Sequence, residues 1–241
     1  MKSLLLISTN KILSQFGWKL QSIRKSNFHD LPPMSSHEQF VDFISDFLEL
    51  KYIWDIGSHK GWWSQKIQKI LPDAHFTLID AVEHEILDMD FRYVRVIKKL
   101  LSDRKKQVLF YQTNGTGDSY YKELWKDYSL QESKLMVTAT LDETALDYNL
   151  EFPDLVKFDT QGSELDIIQG GADSLANCKV IICEVPFYAY NASAPNFKDY
   201  IEKFESMNLL AVSILEVHKL ENHIIQLDVG FVRSDILEKY M

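Results

Sequence analysis

The segment that begins at Asp55 has the residue types of a turn that binds a small ligand. Asp55 stands near the end of an apolar run, Gly57 and Gly61 follow it, and a helix-like pattern opens at Trp62. Glycines in such a turn let the backbone approach a flat ligand closely, because no Cβ stands in the way. The segment therefore predicts a strand, a ligand-binding turn and a helix, in that order.

The spacing of these glycines indicates which ligand the turn would bind. A dinucleotide pyrophosphate is usually held by G-x-G-x-x-G, whereas this sequence reads D-x-G-x-x-x-G, with His59 where the second glycine would stand. The carboxylate of Asp55 would repel a pyrophosphate but attract a cationic group. We therefore expect the turn to bind the amino-acid end of S-adenosylmethionine, with Ser58 and Ser64 among its contacts.

Two later positions extend this predicted cofactor site. Asp80 ends the second apolar run, where a carboxylate can accept hydrogen bonds from both ribose hydroxyls. Ser102 and Asp103 follow the third run, and we expect this polar pair to reach the adenine. Each position alone has a structural explanation, because an aspartate near a strand end often caps a helix or begins a turn. Their order along the chain favours the ligand-binding interpretation.

Three carboxylates are candidates for the chemical step. Asp159 and Glu184 stand near the ends of the fourth and fifth apolar runs, where either could accept a proton from a hydroxyl or orient it. The same pair could instead hold a divalent cation that lowers the pKa of a hydroxyl. Glu164 is the third candidate, although a carboxylate in the first turn of a helix is also stabilised by the free amides there. The sequence leaves these alternatives open.

Other side chains are weaker candidates. His218 and His223 flank the turn of a predicted hairpin and could act as a base, but solvent-exposed roles are favoured. Tyr188 and Tyr190 belong to an aromatic loop that could stack on a sugar or a lipid-like acceptor, or pack against the rest of the protein. The segment Asn114–Ser119 has the composition of a flexible loop and could help to select the acceptor.

Short apolar runs alternate with helix-like stretches from Tyr52 onward, which predicts an α/β protein with a parallel sheet. An insertion between the third and fourth runs adds two more strands, and a hairpin closes the sequence. The predicted strands are Tyr52–Ile56, His75–Ile79, Tyr93–Ile97, Val108–Tyr111, Leu135–Thr140, Leu155–Phe158, Val180–Val185, Leu209–Val217 and Ile224–Arg233. Residues 1–50 have a helical pattern, and we predict that they form an extension that packs on a main domain of residues 51–241.

Composition limits the classes of function. The sequence has 241 residues, 46% of them hydrophobic, with 26 basic and 35 acidic side chains. A net charge of −9 disfavours a nucleic-acid partner, which requires a basic surface. No apolar run is long enough to predict a membrane span. Cys178 and Cys183 lie in a predicted buried strand and lack metal-site spacing, so we expect a cytoplasmic protein with reduced thiols.

A second motif connects these observations to a known family. The sequence from Leu155 reads L-V-K-F-D-T-Q-G-S-E-L, and the predicted helix after it ends at Gly170-Gly171. Together with D-x-G-x-x-x-G, this pattern resembles the FkbM-type methyltransferases over roughly residues 50–235. His59 and Asp80 depart from the family pattern, which more often has Asn and Glu at these positions.

The resemblance implies a Rossmann-like class I methyltransferase fold, with a mostly parallel seven-stranded sheet, an antiparallel C-terminal hairpin and helices on both faces. It also implies methyl transfer from S-adenosylmethionine to an oxygen, often a hydroxyl of a glycan or a secondary metabolite. Two alternatives stay open: a nucleotide-binding oxidoreductase on a related sheet, and a noncatalytic binding protein that keeps the fold. A homo-oligomer is compatible with the sequence, which does not determine the oligomeric state.

Overall fold

Nine strands form the framework of the protein, in a computed structural model that describes residues 34–84, 91–113, 117–122, 132–188 and 191–240. The strands are β1 (Tyr52–Ile56), β2 (His75–Asp80), β3 (Val94–Lys98), β4 (Gln107–Gln112), β5 (Glu132–Val137), β6 (Leu155–Phe158), β7 (Val180–Pro186), β8 (Leu209–Leu220) and β9 (His223–Arg233). The helices are α1 (His37–Ser45), α2 (Trp62–Gln68), α3 (Leu141–Asp147), α4 (Glu164–Gln169), α5 (Ala172–Leu175), α6 (Phe197–Ser206) and α7 (Ser234–Tyr240).

Seven of the strands form one sheet in the order β3-β2-β1-β6-β7-β9-β8. The first five are parallel to one another, whereas β9 runs antiparallel to both β7 and β8. This arrangement confirms the predicted Rossmann-like class I methyltransferase fold with its closing hairpin. Its parallel strands bring their carboxyl ends to one edge, where ligands bind in open α/β sheets.

The inserted strands β4 and β5 pair with each other as a separate antiparallel sheet. The prediction that the second of them extends to Thr140 was wrong, because β5 ends at Val137. Thr140 instead caps helix α3: its hydroxyl accepts from the amide of Glu143, whose carboxylate accepts from the amide of Thr140. The reciprocal cap satisfies two amides at the start of the helix and so stops the strand.

The central strands are buried because both faces of the sheet are covered. All four residues of β6 are buried. Trp54 and Phe158 lie in a cluster with residues of α4 and α6, while Ile53 and Leu155 lie in a second cluster with residues of α1. Successive residues of a strand point to opposite faces, so the two clusters are the two sides of one sheet.

Helix α1 precedes the sheet and packs on it. Ser36 caps the helix by accepting from the amide of Gln39, and Phe40, Val41 and Ile44 are buried. A Cβ on Gly230 of β9 would lie 2.7 Å from the ring of Phe40, which shows how closely the helix approaches the sheet. Residues 1–33 lie outside the described residues, so the extension over residues 1–50 stays a prediction. In the described part of the chain, no helix is both long and apolar enough to cross a membrane.

Candidate active site

The turn between β1 and α2 requires glycine at its first position. Gly57 has a φ of 79°, and a Cβ there would lie 1.9 Å from the carbonyl oxygen of Asp159. Its amide donates to the carbonyl of Ile79, at 2.9 Å. The turn thus joins the ends of β1, β2 and β6. Gly61 has a φ of 73° and stands at the start of α2, where its amide donates to the carbonyl of Ser58.

Asp55 is a buried carboxylate with one unused acceptor. The residue is 1% exposed, and its Oδ2 accepts from the hydroxyl of Ser64 at 2.6 Å. Its Oδ1 has no hydrogen-bond partner among the described residues. Burial raises the pKa of the Asp55 carboxyl, an effect that Lys157 and the Ser64 hydrogen bond oppose. A buried acceptor of this kind is suited to a cationic donor on a ligand.

Asp80 lies at the end of β2, as predicted, and organises the same turn. Its Oδ2 accepts from the amide of His59 at 2.7 Å, and its Oδ1 accepts from the amide of Val82 at 2.9 Å. Each oxygen keeps a further lone pair for a ligand hydroxyl. Asp80 also lines a cavity of about 110 Å³, hereafter the first cavity. This cavity is bounded by the ends of β1, β2 and β6 and by Leu101, Phe110, Ser119 and Tyr120.

Ser102 and Asp103 are not among the residues that line the first cavity, so their contact with an adenine stays a prediction. The hydroxyl of Ser102 is fully buried and bonds with Asp103 and with the phenol of Tyr120. Asp103 also accepts from Lys106, at 2.7 Å, and from Arg104. These contacts use the polar atoms of both side chains within the protein.

Tyr120 lines the first cavity instead. Its hydroxyl donates to Asp166 at 2.8 Å, and burial raises the pKa of the phenol well above its ordinary value. No local pattern marks Tyr120 as a site residue, because its position depends on contacts with residues distant in the sequence, Ser102 and Asp166.

A second cavity, of about 540 Å³, adjoins the first and is rich in carboxylates. Gly57, His59 and Asp159 line both cavities. The other acidic side chains of the second cavity are Glu38, Asp55, Glu184, Glu216 and Asp228, and its basic and aromatic ones include His37, Trp62, Trp63, Lys66, Lys157 and His218. Ser58 lines this cavity too. Gly61 and Ser64 do not line it but bond with residues that do: the Gly61 amide with the carbonyl of Ser58, and the Ser64 hydroxyl with Asp55.

A hydrogen-bonded network fixes the two principal carboxylates. Asp159 accepts from the ammonium of Lys157 at 2.7 Å and from the amide nitrogen of Gln161 at 3.1 Å. The same Gln161 nitrogen donates to Glu184 at 2.6 Å. Burial lowers the pKa of Lys157, but Asp159 and Asp55 outweigh it, so the pKa rises and the ammonium stays charged. Burial, reinforced by Asp159, raises the pKa of Glu184 well above its ordinary value.

Glu164 has the environment of a structural residue. It is 1% exposed and accepts from the amides of Thr160 and Gly162 and from the hydroxyl of Tyr200. It lines neither the first nor the second cavity. The hydrogen bonds shape the loop between β6 and α4, so the geometry favours this role over the catalytic one.

His218, for which the sequence favoured a solvent-exposed role, has a side chain that is 34% exposed and lines the second cavity beside Asp228, 3.4 Å away. Asp228 also accepts from His37 at 2.7 Å. Sequence reasoning missed Asp228 and His37, which are 191 positions apart. Tyr188 is 50% exposed and lines neither cavity, and Tyr190 lies outside the described residues.

The proposed cation ligands Asp159 and Glu184 do not form the cluster best suited to a metal. Each oxygen of Asp159 accepts one hydrogen bond, from Lys157 and from Gln161, and among the described residues Asp159 belongs to no cluster of metal-ligating atoms. Glu184 groups instead with His218 and Asp228, with one potential ligand atom from each lying within 4.8 Å of the others.

The proteins to which this chain is similar include three methyltransferases. The 2-O-methyltransferase NoeI of Sinorhizobium fredii (strain NBRC 101917 / NGR234) is 26% identical, over 76% of this chain and 79% of its own length. The crystal structure of a methyltransferase FkbM from Methylobacillus flagellatus KT has a TM-score of 0.49 and 14% identity, and covers 86% of this chain. This chain spans 50% of that structure. A precorrin-6y C5,15-methyltransferase from Geobacter metallireducens GS-15 has a TM-score of 0.46 and 14% identity, covering 81% of this chain and 88% of its own.

TM-scores under 0.5 do not indicate a shared function, whereas a sequence match to a family model shows membership of that family. Residues 55–209 match the methyltransferase FkbM domain, a span that includes the glycine turn, Asp80, the Lys157–Asp159 strand end and Glu184. On this match over more than half of its length, the chain belongs to the FkbM methyltransferase family.

Proposed function

We propose that this protein is an S-adenosylmethionine-dependent O-methyltransferase that modifies a hydroxyl group of a glycan or a secondary metabolite. The observation that carries the proposal is the pair of adjoining cavities that meet at Gly57 and Asp159. One cavity offers a ribose-type acceptor in Asp80, and the other is lined by carboxylates suited to hydroxyl groups. Methyl transfer requires such a junction, because donor and acceptor must be held in line.

The side chains at the turn fit the proposed cofactor. The cofactor would extend across the junction: the unpartnered Oδ1 of Asp55, in the second cavity, would accept from its amino group, and Asp80, in the first, would accept from the ribose hydroxyls through its remaining lone pairs. Leu101 and Phe110 give the first cavity an apolar wall for a base. S-adenosylmethionine, when bound, supplies a methyl group on a sulfonium.

Asp159 is the residue that we assign to the acceptor's proton. Its side chain is 36% exposed and lines both cavities, so it faces the place where donor and acceptor meet. Lys157 and Gln161 hold the carboxylate in position. Glu184 lines the second cavity but not the first, and we assign it to acceptor orientation.

The choice of an oxygen acceptor is supported by the relative NoeI, whose name describes 2-O-methylation. The second cavity is compatible with it, because carboxylates accept hydrogen bonds from the hydroxyls of a sugar. A small-molecule or glycan acceptor follows from this proposal. The most direct test is transfer of a labelled methyl group to a panel of glycans that carry hydroxyl and amino groups. Labelling of the amino groups alone would contradict the oxygen assignment.

We expect Asp80→Ala to weaken the binding of S-adenosylmethionine by about 10–100-fold, because the ribose loses an acceptor of two hydrogen bonds. Isothermal titration calorimetry measures the effect. Asp73→Ala is a matched control, since Asp73 is an exposed carboxylate that pairs with Arg92 away from both cavities. Unchanged affinity in a folded Asp80→Ala protein would defeat the cofactor assignment.

A further inference from the structure

Three side chains with metal-ligating atoms meet in the second cavity, beyond the position of Asp159. They are Glu184 on β7, His218 on β8 and Asp228 on β9, and one potential ligand atom from each lies within 4.8 Å of the other two. Glu184 is directly opposite Asp228 in the register of β7 and β9. Like charges at directly opposite positions are destabilising, and a cation between them removes that cost.

Two of these potential ligand atoms have no hydrogen-bond partner. Asp228 Oδ1 and His218 Nε2 are both buried, and in the described part of the chain their one polar contact is with each other, an ion pair when His218 is protonated. They lie 3.4 Å apart, and Asp228 is only 7% exposed. Two ligands at about 2.1 Å from one ion can be separated by up to about 4.2 Å, so a shared cation is sterically possible here. Burying unused acceptors is costly unless a ligand binds them.

A relay of hydrogen bonds fixes the orientation of Asp228. The indole nitrogen of Trp63 donates to His37 Nδ1 at 2.8 Å, so that nitrogen is unprotonated and His37 Nε2 carries the proton. His37 Nε2 therefore donates to Asp228 Oδ2, at 2.7 Å. This leaves Oδ1 as the free oxygen. Hydrogen bonds to ligating carboxylates are a general feature of metal sites.

The relay also excludes a competing cluster. His37, Glu216 and Asp228 also have potential ligand atoms within 4.8 Å of one another. Both nitrogens of His37 are engaged, however, one as acceptor from Trp63 and the other as donor to Asp228. His37 thus has no lone pair left for a metal.

We propose that Glu184, His218 and Asp228 form a binding site for a divalent transition-metal cation. One imidazole and two carboxylates suit Mn²⁺, Fe²⁺ or Zn²⁺, and three protein ligands leave positions open for acceptor oxygens. The role of the ion rests on the proposed function: it would hold adjacent hydroxyl oxygens of the acceptor and lower the pKa of the one that reacts. Asp159 would then take the proton.

Mn²⁺ binding to the 241-residue chain, free of other metals, tests the site without reference to activity. We expect calorimetry to show one Mn²⁺ per chain, and electron paramagnetic resonance to show the bound ion. Asp228→Asn and His218→Ala should abolish this binding, and His37→Ala should weaken it about 10–100-fold by removing the support of Asp228. Glu216→Gln, a neighbouring carboxylate outside the site, should leave it unchanged.

No saturable Mn²⁺ or Zn²⁺ binding to the folded wild-type chain would overturn the proposal, as would unaltered binding by folded Asp228→Asn. If methyl transfer then continued in excess chelator but required His218, the pair His218–Asp228 would be an acid–base dyad instead. Conversely, Mn²⁺ binding that is lost in Asp228→Asn, combined with no methyl transfer to any acceptor, would support the site and count against the proposed function alone.

Discussion

At the scale of single residues, the carboxylates of the site differ in their hydrogen-bond partners. Asp159 is held by Lys157 and Gln161 at the junction of the cavities, whereas Glu164 is enclosed by amides and by the hydroxyl of Tyr200. The sequence treats both as catalytic candidates, and their surroundings lead to different expectations for substitution.

We expect Asp159→Asn to lower kcat by about 10²–10⁴-fold, because an amide cannot take the acceptor's proton. Affinity for S-adenosylmethionine should change little, since Asp55 and Asp80 carry the proposed cofactor contacts. Steady-state kinetics and calorimetry on the same preparation separate the two effects. Asp42→Asn, at an exposed position of α1, is the control. Equal losses of turnover and of cofactor affinity would argue against the assigned role.

Glu164→Ala should reduce the free energy of unfolding by about 2–4 kcal/mol, because two amides and a tyrosine hydroxyl lose their buried acceptor. Chemical denaturation measures this. Glu164→Gln keeps an acceptor oxygen and should stay folded and active; an inactive but stable Glu164→Gln protein would restore the catalytic role.

The same Gln variant carries a pH signature. Burial raises the pKa of Glu164 above the ordinary 4.5, although its hydrogen bonds oppose this. A raised carboxyl pKa gives stability that is present below the unfolded pKa and is lost as the pH rises through the folded pKa. Glu164→Gln should therefore gain stability relative to the wild type as the pH rises through the folded pKa of Glu164. A difference in free energy of unfolding that does not change with pH would contradict the raised pKa.

At the scale of elements, the β1–α2 turn is the structure on which the site depends. It touches the end of β6 through Gly57 and the end of β2 through the amide of His59. A change in the turn is thus transmitted to Asp159 and Asp80 together.

Gly57→Ala should destabilise the fold by about 2–4 kcal/mol, because it combines a positive φ with a Cβ that overlaps the carbonyl of Asp159. Thermal and chemical denaturation provide the measurement. Gly117→Ala is the matched control: its φ is 119°, but the nearest atoms to its Cβ would be 3.8 Å away. Equal destabilisation of the two variants would show that backbone strain, and not the close approach of β1 and β6, is decisive.

At the scale of the whole molecule, the sheet concentrates acidic groups at one edge. Asp55, Asp80, Asp159 and Glu184 stand at or near the carboxyl ends of four adjacent parallel strands, β1, β2, β6 and β7. Lys157 compensates only part of this charge. A negatively charged cleft attracts a ligand with a net positive charge, such as S-adenosylmethionine.

The sequence by itself determined the order of elements and the strand ends where Asp55, Asp80, Asp159 and Glu184 stand. These features follow from local patterns: apolar alternation, glycine spacing and the resemblance to one family. The sheet order and closing hairpin confirm that part.

Only the tertiary structure decided which side chains meet. Local patterns do not reveal that Ser102 bonds with Tyr120, that Lys157 interacts with both Asp159 and Asp55, or that His37 orients Asp228 beside His218. These contacts depend on the register between strands and on the packing of α1 against β9. A shift of one residue in register would turn the strand residues Lys157, His218 and Asp228 to the opposite face, which is why the assembled fold is needed to place them.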